Sequence, residues 1–382
     1  MARPRIGVDF HTWDGIHQGS RSYLLGLFSE AVRLAPDLDF CFLASDIESL
    51  QAKSGLARYP NAFFLRMPSR PGPYRLLFQL PWLMLRHRLT LLHLTFRIPP
   101  IHLGRCVVTI HDLLFESHPQ FFKPLFRLQM GPHTRFSARH ARKVFTISAF
   151  TRQELVDRYG LSRDQIAITY CGADLEKFSP LPGPSDAAIL SRFQLPAKGF
   201  VLTVGRLEPR KNHRTLIRAF VEAGLRELPL VIVGQRDFGS DQILSEIAEA
   251  QAQGYDIRLL ESVDDGVLPI LLRQCMLFAY LSFAEGFGIP PLEALASGSP
   301  VLASNTSAIP EVVGEAGVLV DPTDIPATAA ALQRLLRDPE LRRGLADQAA
   351  AQAHKFQWSA SAQVLVDEYR KLLGRLSPTI GP

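Results

Sequence analysis

Short apolar runs recur along the whole chain, each followed by a turn and then by a segment of helical period. Ile6–Phe10, Phe40–Ala44, Ala62–Arg66, Leu91–Leu94, Cys106–Ile110, Lys143–Ile147 and Ile166–Tyr170 come first. Phe200–Val204, Leu230–Val233, Ile257–Leu260, Met276–Leu281, Val301–Ala303 and Gly317–Val320 follow. Runs this short and this apolar fit strands buried on both faces, as parallel strands are. Amphipathic helices are expected between them. One starts near Ser20, one is capped by Ser148, and His213–Ala223, Ser240–Gln253, Leu268–Gln274, Ala327–Leu336 and Pro339–His354 supply others. Strands alternating with helices in this way specify a doubly wound α/β sheet.

With 382 residues the chain exceeds one ordinary core, so two such sheets are expected. Phe178–Gly199 carries Pro180, Pro182, Pro184 and Pro196 and reads as the break. The expected division is a first domain over 1–180, a linker over 181–199 and a second domain over 200–358. A last helix within 359–382 returns to the first domain in this reading. The four cysteines (Cys41, Cys106, Cys171, Cys275) are scattered, without C-x-x-C and without a histidine at ligand spacing. Neither a disulfide framework nor a metal site is expected, and no cofactor; the pattern fits a reducing cytoplasm. The N-terminus runs directly into a strand, so no signal peptide is expected.

Charge is uneven. Residues 1–179 hold 23 Lys and Arg against 14 Asp and Glu, and the remainder holds 19 against 23. No acid occurs between Glu48 and Asp112. Within that gap, arginines from Arg66 to Arg97 are interleaved with Leu77, Phe78, Leu80, Trp82, Leu83, Met84 and Leu85. A basic, aromatic and leucine-rich segment over 66–97 suits an anionic membrane surface. A partly buried helix with a solvated basic face is the other reading. Nucleic acid is not expected, because the aromatics form an apolar face rather than spaced stacking platforms.

Three strand-end turns carry the candidate chemistry. After Met276–Leu281 comes EGFGIPPLEALASGSP. Glu285 and Glu293 bracket the glycine turn Gly286-Phe287-Gly288, and a helix is expected from Glu293 to the stop at Gly298. Backbone N–H groups without a Cβ in the way, next to a helix N-terminus, suit a polyol or an anion. After Phe200–Val204 comes Gly205-Arg206-Leu207-Glu208-Pro209-Arg210-Lys211-Asn212. Arg206 and Lys211 flank this turn and suit a diphosphate. After Cys106–Ile110 come His111 and Asp112, at the strand end where such sheets bind ligands; a structural histidine is the alternative. The turn His11–Ser22, with Gly15 and Gly19, opens the first sheet but lacks G-x-G-x-x-G. A dinucleotide oxidoreductase is therefore not indicated.

Taken together, VGRLEPRKN, EGFGIPPLEALASGSPVLASNTSAIPEV and TIHDLLF resemble the retaining glycosyltransferases of family 4. SNTSAIPEVVGEAGVLVDP is similar to bacterial mannosyl- and rhamnosyltransferases that build surface polysaccharides. The resemblance implies the GT-B fold, two Rossmann-like domains facing a cleft, and metal-independent catalysis. It implies that Arg206 and Lys211 hold the donor diphosphate. Glu285 with Gly286, Phe287 and Gly288 would bind the sugar hydroxyls, and Glu293 the ribose hydroxyls. His111 would lie near the sugar, Gly19 near the phosphate and acceptor, and Val263, Asp264 and Asp265 beside the base. Arg21 stands where relatives often have a second glycine, Cys171 where they have asparagine, and Glu261 near the base loop where they often have glycine.

A carboxylate accepts two bonds at once from guanine's N1–H and N2–H₂, whereas uracil offers one comparable donor. Asp264 and Asp265 therefore favour GDP-mannose, with a UDP-hexose as the alternative. The expected acceptor is a saccharide, free or linked to a polyprenyl diphosphate, at the inner membrane face. A non-catalytic nucleotide-sugar binder is the rival reading; it would have no need of His111 and Glu285.

Overall fold

The computed structural model describes residues 3–13, 19–101 and 104–376; Gly15 lies outside them. The chain forms two compact units. One is Met1–Gly172 with Gln357–Pro382, and the other is Ala173–Phe356.

Among the described residues the first unit holds seven strands: β1 Arg5–Asp9, β2 Asp39–Ala44, β3 Ala62–Arg66, β4 Leu91–Thr95, β5 Cys106–Ile110, β6 Val144–Thr146 and β7 Ile166–Ile168. All pair in parallel, in the order β3-β2-β1-β4-β5-β6-β7. Every residue of β4 and β5 is buried, which accounts for their mainly apolar character, whereas no residue of edge strand β3 is fully buried. The order reverses direction between β1 and β4, the topological switch point of this sheet.

The second unit holds β8 Val201–Val204, β9 Leu230–Val233, β10 Ile257–Leu260, β11 Leu277–Tyr280, β12 Val301–Ser304 and β13 Gly317–Val320. Its order is β10-β9-β8-β11-β12-β13, again parallel. The switch point here lies between β8 and β11.

Several helices depart from expectation. Residues 181–199 carry the helix Asp186–Arg192, with the prolines flanking it rather than interrupting it. It is pinned within the second unit. The Asp186 carboxylate accepts from Arg273 Nε and from Gln274 Nε2, both at 2.8 Å, and Lys198 N donates to Gln274 O. The helix after the glycine turn runs Ile289–Ala296 and so starts earlier than Glu293. Pro290 and Pro291 occupy its first turn, where a missing N–H costs nothing. The helix Pro124–His140 has no counterpart in the sequence reading; Pro132 inside it and a mostly exposed surface mask its period.

The last helix, Trp358–Leu376, packs in the first unit. Trp358 covers Gly26 and Gly172 so closely that a Cβ on Gly26 would sit 2.3 Å from the indole. Tyr369 bonds His93 Nδ1, Lys143 pairs with Glu368 at 2.8 Å, and Ser361 Oγ donates to Tyr170 O. No helix among the described residues is long and apolar enough to cross a membrane.

Candidate active site

The β8–β11 switch point gathers a cluster of charged residues of the second unit. Gly205 and Arg206 follow β8, and the turn Pro209–Lys211 ends at Asn212, which adopts the left-handed conformation (φ 54°). Asn212 is held in that conformation by its buried amide nitrogen, which donates to Leu281 O and Pro322 O. This ties the turn after β8 to the segment after β11. His213, first in the helix His213–Glu222, lies with Nε2 3.2 Å from Gly205 O and 3.1 Å from Arg206 O. Burial lowers its pKa to about 4, more than these bonds restore, so it braces the turn as a neutral ring. Gly234 completes the frame; a Cβ there would lie 1.9 Å from Gly205 O.

Glu285 is the centre of this arrangement and is 8 % exposed. Its Oε1 accepts from Lys211 Nζ (2.7 Å) and from the Tyr280 hydroxyl (2.9 Å). Its Oε2 lies 2.9 Å from Arg210 Nη1. Burial alone would push the carboxyl pKa up, but Arg210 and Lys211 outweigh burial and hold it at about 2. Glu285 is thus a permanent anion at neutral pH. Burial also opposes the charge on Lys211; Glu285 and Tyr280 overcome it and raise the amine above its usual value. The Lys211 Nζ donates to the Tyr280 hydroxyl at 2.8 Å, and burial with Glu285 pushes that phenol up to about 12. Arg210 is steadied by Glu208 Oε1 (2.6 Å) and donates to Ala284 O. Ser307, itself left-handed (φ 55°), accepts from Glu285 N at 2.8 Å.

The glycine turn follows directly. Gly286, Phe287 and Gly288 are buried, and Phe287 meets Phe356 edge-on at 5.5 Å. Gly288 has φ +117°, a conformation that an L side chain rarely adopts. Glu293 stands in the second turn of the helix Ile289–Ala296 between buried Leu292 and Ala294. Its side chain is half-buried and has no hydrogen-bond or ion-pair partner among the described residues. Burial, only partly offset by Lys177, pushes its pKa up to about 8. The two carboxylates flanking the turn therefore differ in charge at pH 7: Glu285 is ionised and Glu293 is mostly protonated.

The remaining expected residues are separate from this cluster. Arg206 turns to Asp237 at 3.0 Å instead of joining Lys211. Val263, Asp264 and Asp265 form an outer loop after β10; Asp264 is exposed, with its carboxylate 3.6 Å from Arg192. Glu261 pairs with Arg236 at 2.6 Å.

In the first unit, His111 follows β5 and is 6 % exposed. It packs edge-on to Tyr23 at 4.9 Å and against Phe96, and burial lowers its pKa to about 4. Its Nε2 is buried without a hydrogen-bond partner among the described residues. Asp112 Oδ1 accepts from Leu114 N and so caps the next turn. Gly19 is the first residue of the helix Gly19–Leu34.

Arg210, Tyr280, Ser307 and His213 are site residues that sequence reasoning passed over. Arg210 was visible as the third cation of its turn. Tyr280 gave no signal inside an apolar strand.

The family described as "Glycosyltransferase Family 4" matches residues 18–177, and that described as "Glycosyl transferases group 1" matches residues 191–352. The O-antigen chain mannosyltransferase B of Escherichia coli is 33% identical over 323 residues, covering 81% of this chain and 82% of that protein. The serotype-specific mannosyltransferase WbdA of the same organism is 28% identical over 278 residues; the match covers 70% of this chain but 34% of that protein. The structure of Anabaena Alr3699/HepE in complex with UDP-glucose superimposes with a TM-score of 0.74. It is 19% identical and covers 96% of this chain and 99% of that one. The chain belongs to glycosyltransferase family 4, with the two-sheet GT-B fold, and is a glycosyltransferase.

Proposed function

We infer that this protein moves a mannosyl group from GDP-mannose, with retention, to a saccharide or polyprenyl-diphosphate-linked oligosaccharide during surface polysaccharide synthesis. The buried cluster of Glu285, Lys211, Arg210 and Tyr280 beside the glycine turn carries this reading. The names of the mannosyltransferase relatives support the sugar and the setting.

In this reading Lys211 and Arg206 bind the donor diphosphate. Arg206 exchanges Asp237 for phosphate, and Lys211 shares itself between Glu285 and the diphosphate. Glu285 accepts bonds from the sugar hydroxyls, which its low pKa allows throughout the neutral range. The amides of Gly286, Phe287 and Gly288 donate to the sugar, and Glu293 accepts from the ribose hydroxyls. His111, neutral and with Nε2 unused, serves the transferred sugar, and Gly19 approaches the phosphate and acceptor. Asp264 and Asp265 take the guanine.

The acceptor oxygen attacks C1 on the face from which the diphosphate leaves. The C1–O bond to phosphate breaks, the new C1–O bond forms, and the acceptor's proton passes to the departing diphosphate oxygen. The protein's part is positioning and charge stabilisation, with Lys211 and Arg206 neutralising the diphosphate without a bound metal.

The acceptor's lipid fits the exposed face of the first unit. Tyr74, Phe78, Trp82 and Leu85 are exposed at helical spacing, with Arg70, Arg86 and Arg88 alongside. Such a face suits peripheral attachment to anionic lipid on the cytoplasmic side. Flotation with liposomes tests this: binding should rise with anionic lipid and fall in Trp82→Ser, and binding indifferent to both would refute it.

A UDP-hexose donor is the second reading. The Asp264 carboxylate faces Arg192, which competes with a guanine edge for it. Thermal shift with GDP and UDP separates the two. Greater stabilisation by GDP supports guanine, and equal or greater stabilisation by UDP overturns it.

A further inference from the structure

The first sheet has a switch point of its own, between β1 and β4, and ligands of open α/β sheets bind outside the carboxyl ends of the strands at such a point. A charge cluster that the transfer reaction above does not use stands there. Asp9 is the last residue of β1 and is 1 % exposed. It accepts from the His11 backbone N–H at 3.1 Å and from Arg75 Nη1, and lies 3.0 Å from His11 Nδ1. Arg75 is itself buried. Arg97 follows β4 by two residues and is half-buried.

Asp9 is fully engaged by His11 and Arg75. Burial works against its charge, yet His11 and Arg75 hold its pKa far below the ordinary carboxylate range. The Arg97 backbone N–H donates to Thr95 O, but its guanidinium has no hydrogen-bond or ion-pair partner among the described residues. Burial disfavours its charge and the neighbouring Arg75 disfavours it further, while Asp9 offsets only part of this. Two guanidinium groups thus stand near one buried carboxylate at the carboxyl ends of the strands, and of the two only Arg75 bonds it. A half-buried cation with no ion-pair partner among the described residues is unfavourable, and a guanidinium fork matches a phosphate group. Gly72 borders this space, with its Cβ position 3.9 Å from Arg97 Nη1.

We propose that the β1–β4 switch point is a second anion site, formed by Arg97 beside the Asp9–Arg75 pair, and that it takes a phosphate or diphosphate ester group of the acceptor. The assignment to an acceptor rests on the glycosyltransferase reading given above; the anion site itself does not.

Equilibrium dialysis with labelled inorganic pyrophosphate, with and without saturating GDP, tests the site directly. Two classes of bound pyrophosphate are expected, one displaced by GDP and one not. Arg97→Ala should lose only the second class, and Arg97→Lys should keep part of it. An unchanged melting temperature for Arg97→Ala would exclude unfolding as the cause. Complete displacement by GDP overturns the proposal, as does GDP-insensitive binding that survives in Arg97→Ala. A kinetic arm separates acceptor phosphate from free phosphate. For a saccharide-diphosphate acceptor, KM should rise about 10- to 100-fold in Arg97→Ala, the range of a lost charge-assisted bond. KM for the same saccharide without phosphate should not move. Equal effects on both acceptors would refute the acceptor assignment. Loss of transfer with the anion site intact would instead count against the function proposed above.

Discussion

Replacing Glu285 by glutamine keeps the shape of the site and removes the charge that holds it together. The carboxyl pKa falls from 4.5 to about 2 because Arg210 and Lys211 outweigh burial. At about 1.4 kcal/mol per pKa unit this corresponds to about 3 kcal/mol favouring the ionised form. The depression lies below the unfolded value, so this stability is present above pH 4.5 and is lost as pH falls toward 2. Glu285→Gln should therefore lower unfolding free energy by about 3 kcal/mol at pH 7, within the usual range for breaking a buried pair. Urea denaturation as a function of pH should show the two proteins converging in acid. Binding behaves differently. In the free protein Lys211 is committed to Glu285 and Tyr280, and the glutamine variant frees it for phosphate. GDP affinity should stay equal or tighten, while kcat should drop about 10²- to 10³-fold with the loss of a charged contact to the sugar. Parallel loss of kcat and GDP affinity would refute the division between the two glutamates.

Glu293 should show the opposite pattern: Glu293→Gln weakens GDP binding about 10-fold with little change in kcat. Burial raises its pKa to about 8, above the unfolded value, so its contribution to stability is lost as pH rises from 4.5 through 8. The glutamine variant should be the more stable protein at pH 8, by about 1 to 3 kcal/mol after allowing for partial exposure, as read by urea denaturation. Ribose hydroxyls donate to the ionised form, so GDP binding near pH 7 should release a proton; calorimetry in buffers of different ionisation enthalpy detects it, and zero release contradicts the ribose role. Gly288→Ala forces a side chain into φ +117° and should cost about 1 to 3 kcal/mol in thermal or urea unfolding. Gly26→Ala puts a Cβ into Trp358 and should destabilise the first unit by a similar order, read by protease sensitivity of the last helix.

The strands were legible because parallel strands buried on both faces leave continuous apolar runs. Cys106–Ile110 and Leu230–Val233 are of this kind and are bounded as the sequence implies, as are the less buried edge strands Ala62–Arg66, Ile257–Leu260 and Gly317–Val320. Ser148 shows its cap in the sequence because a single side chain makes it; its hydroxyl accepts from Thr151 N. The helix Pro124–His140 was not legible, since an internal proline and a mostly exposed surface erase its amphipathic period. At the candidate site, Glu285, Glu293 and Lys211 were visible from their turns. Their partners were not. Tyr280 is hidden in an apolar strand, and Ser307 reaches Glu285 N across 22 residues of sequence. Arg206 and Lys211 look equivalent in the sequence, yet folding gives one to Asp237 and the other to Glu285. Such divisions depend on contacts formed only after the strands align, so spacing does not carry them.

The most direct test of the proposed function is a donor screen against a synthetic polyprenyl-diphosphate saccharide, with products read by mass. GDP-mannose should yield an acceptor one hexose heavier, and Lys211→Ala and Glu285→Gln should abolish or sharply reduce that product. Transfer from a UDP-hexose alone, or undiminished transfer by both variants, would contradict the account.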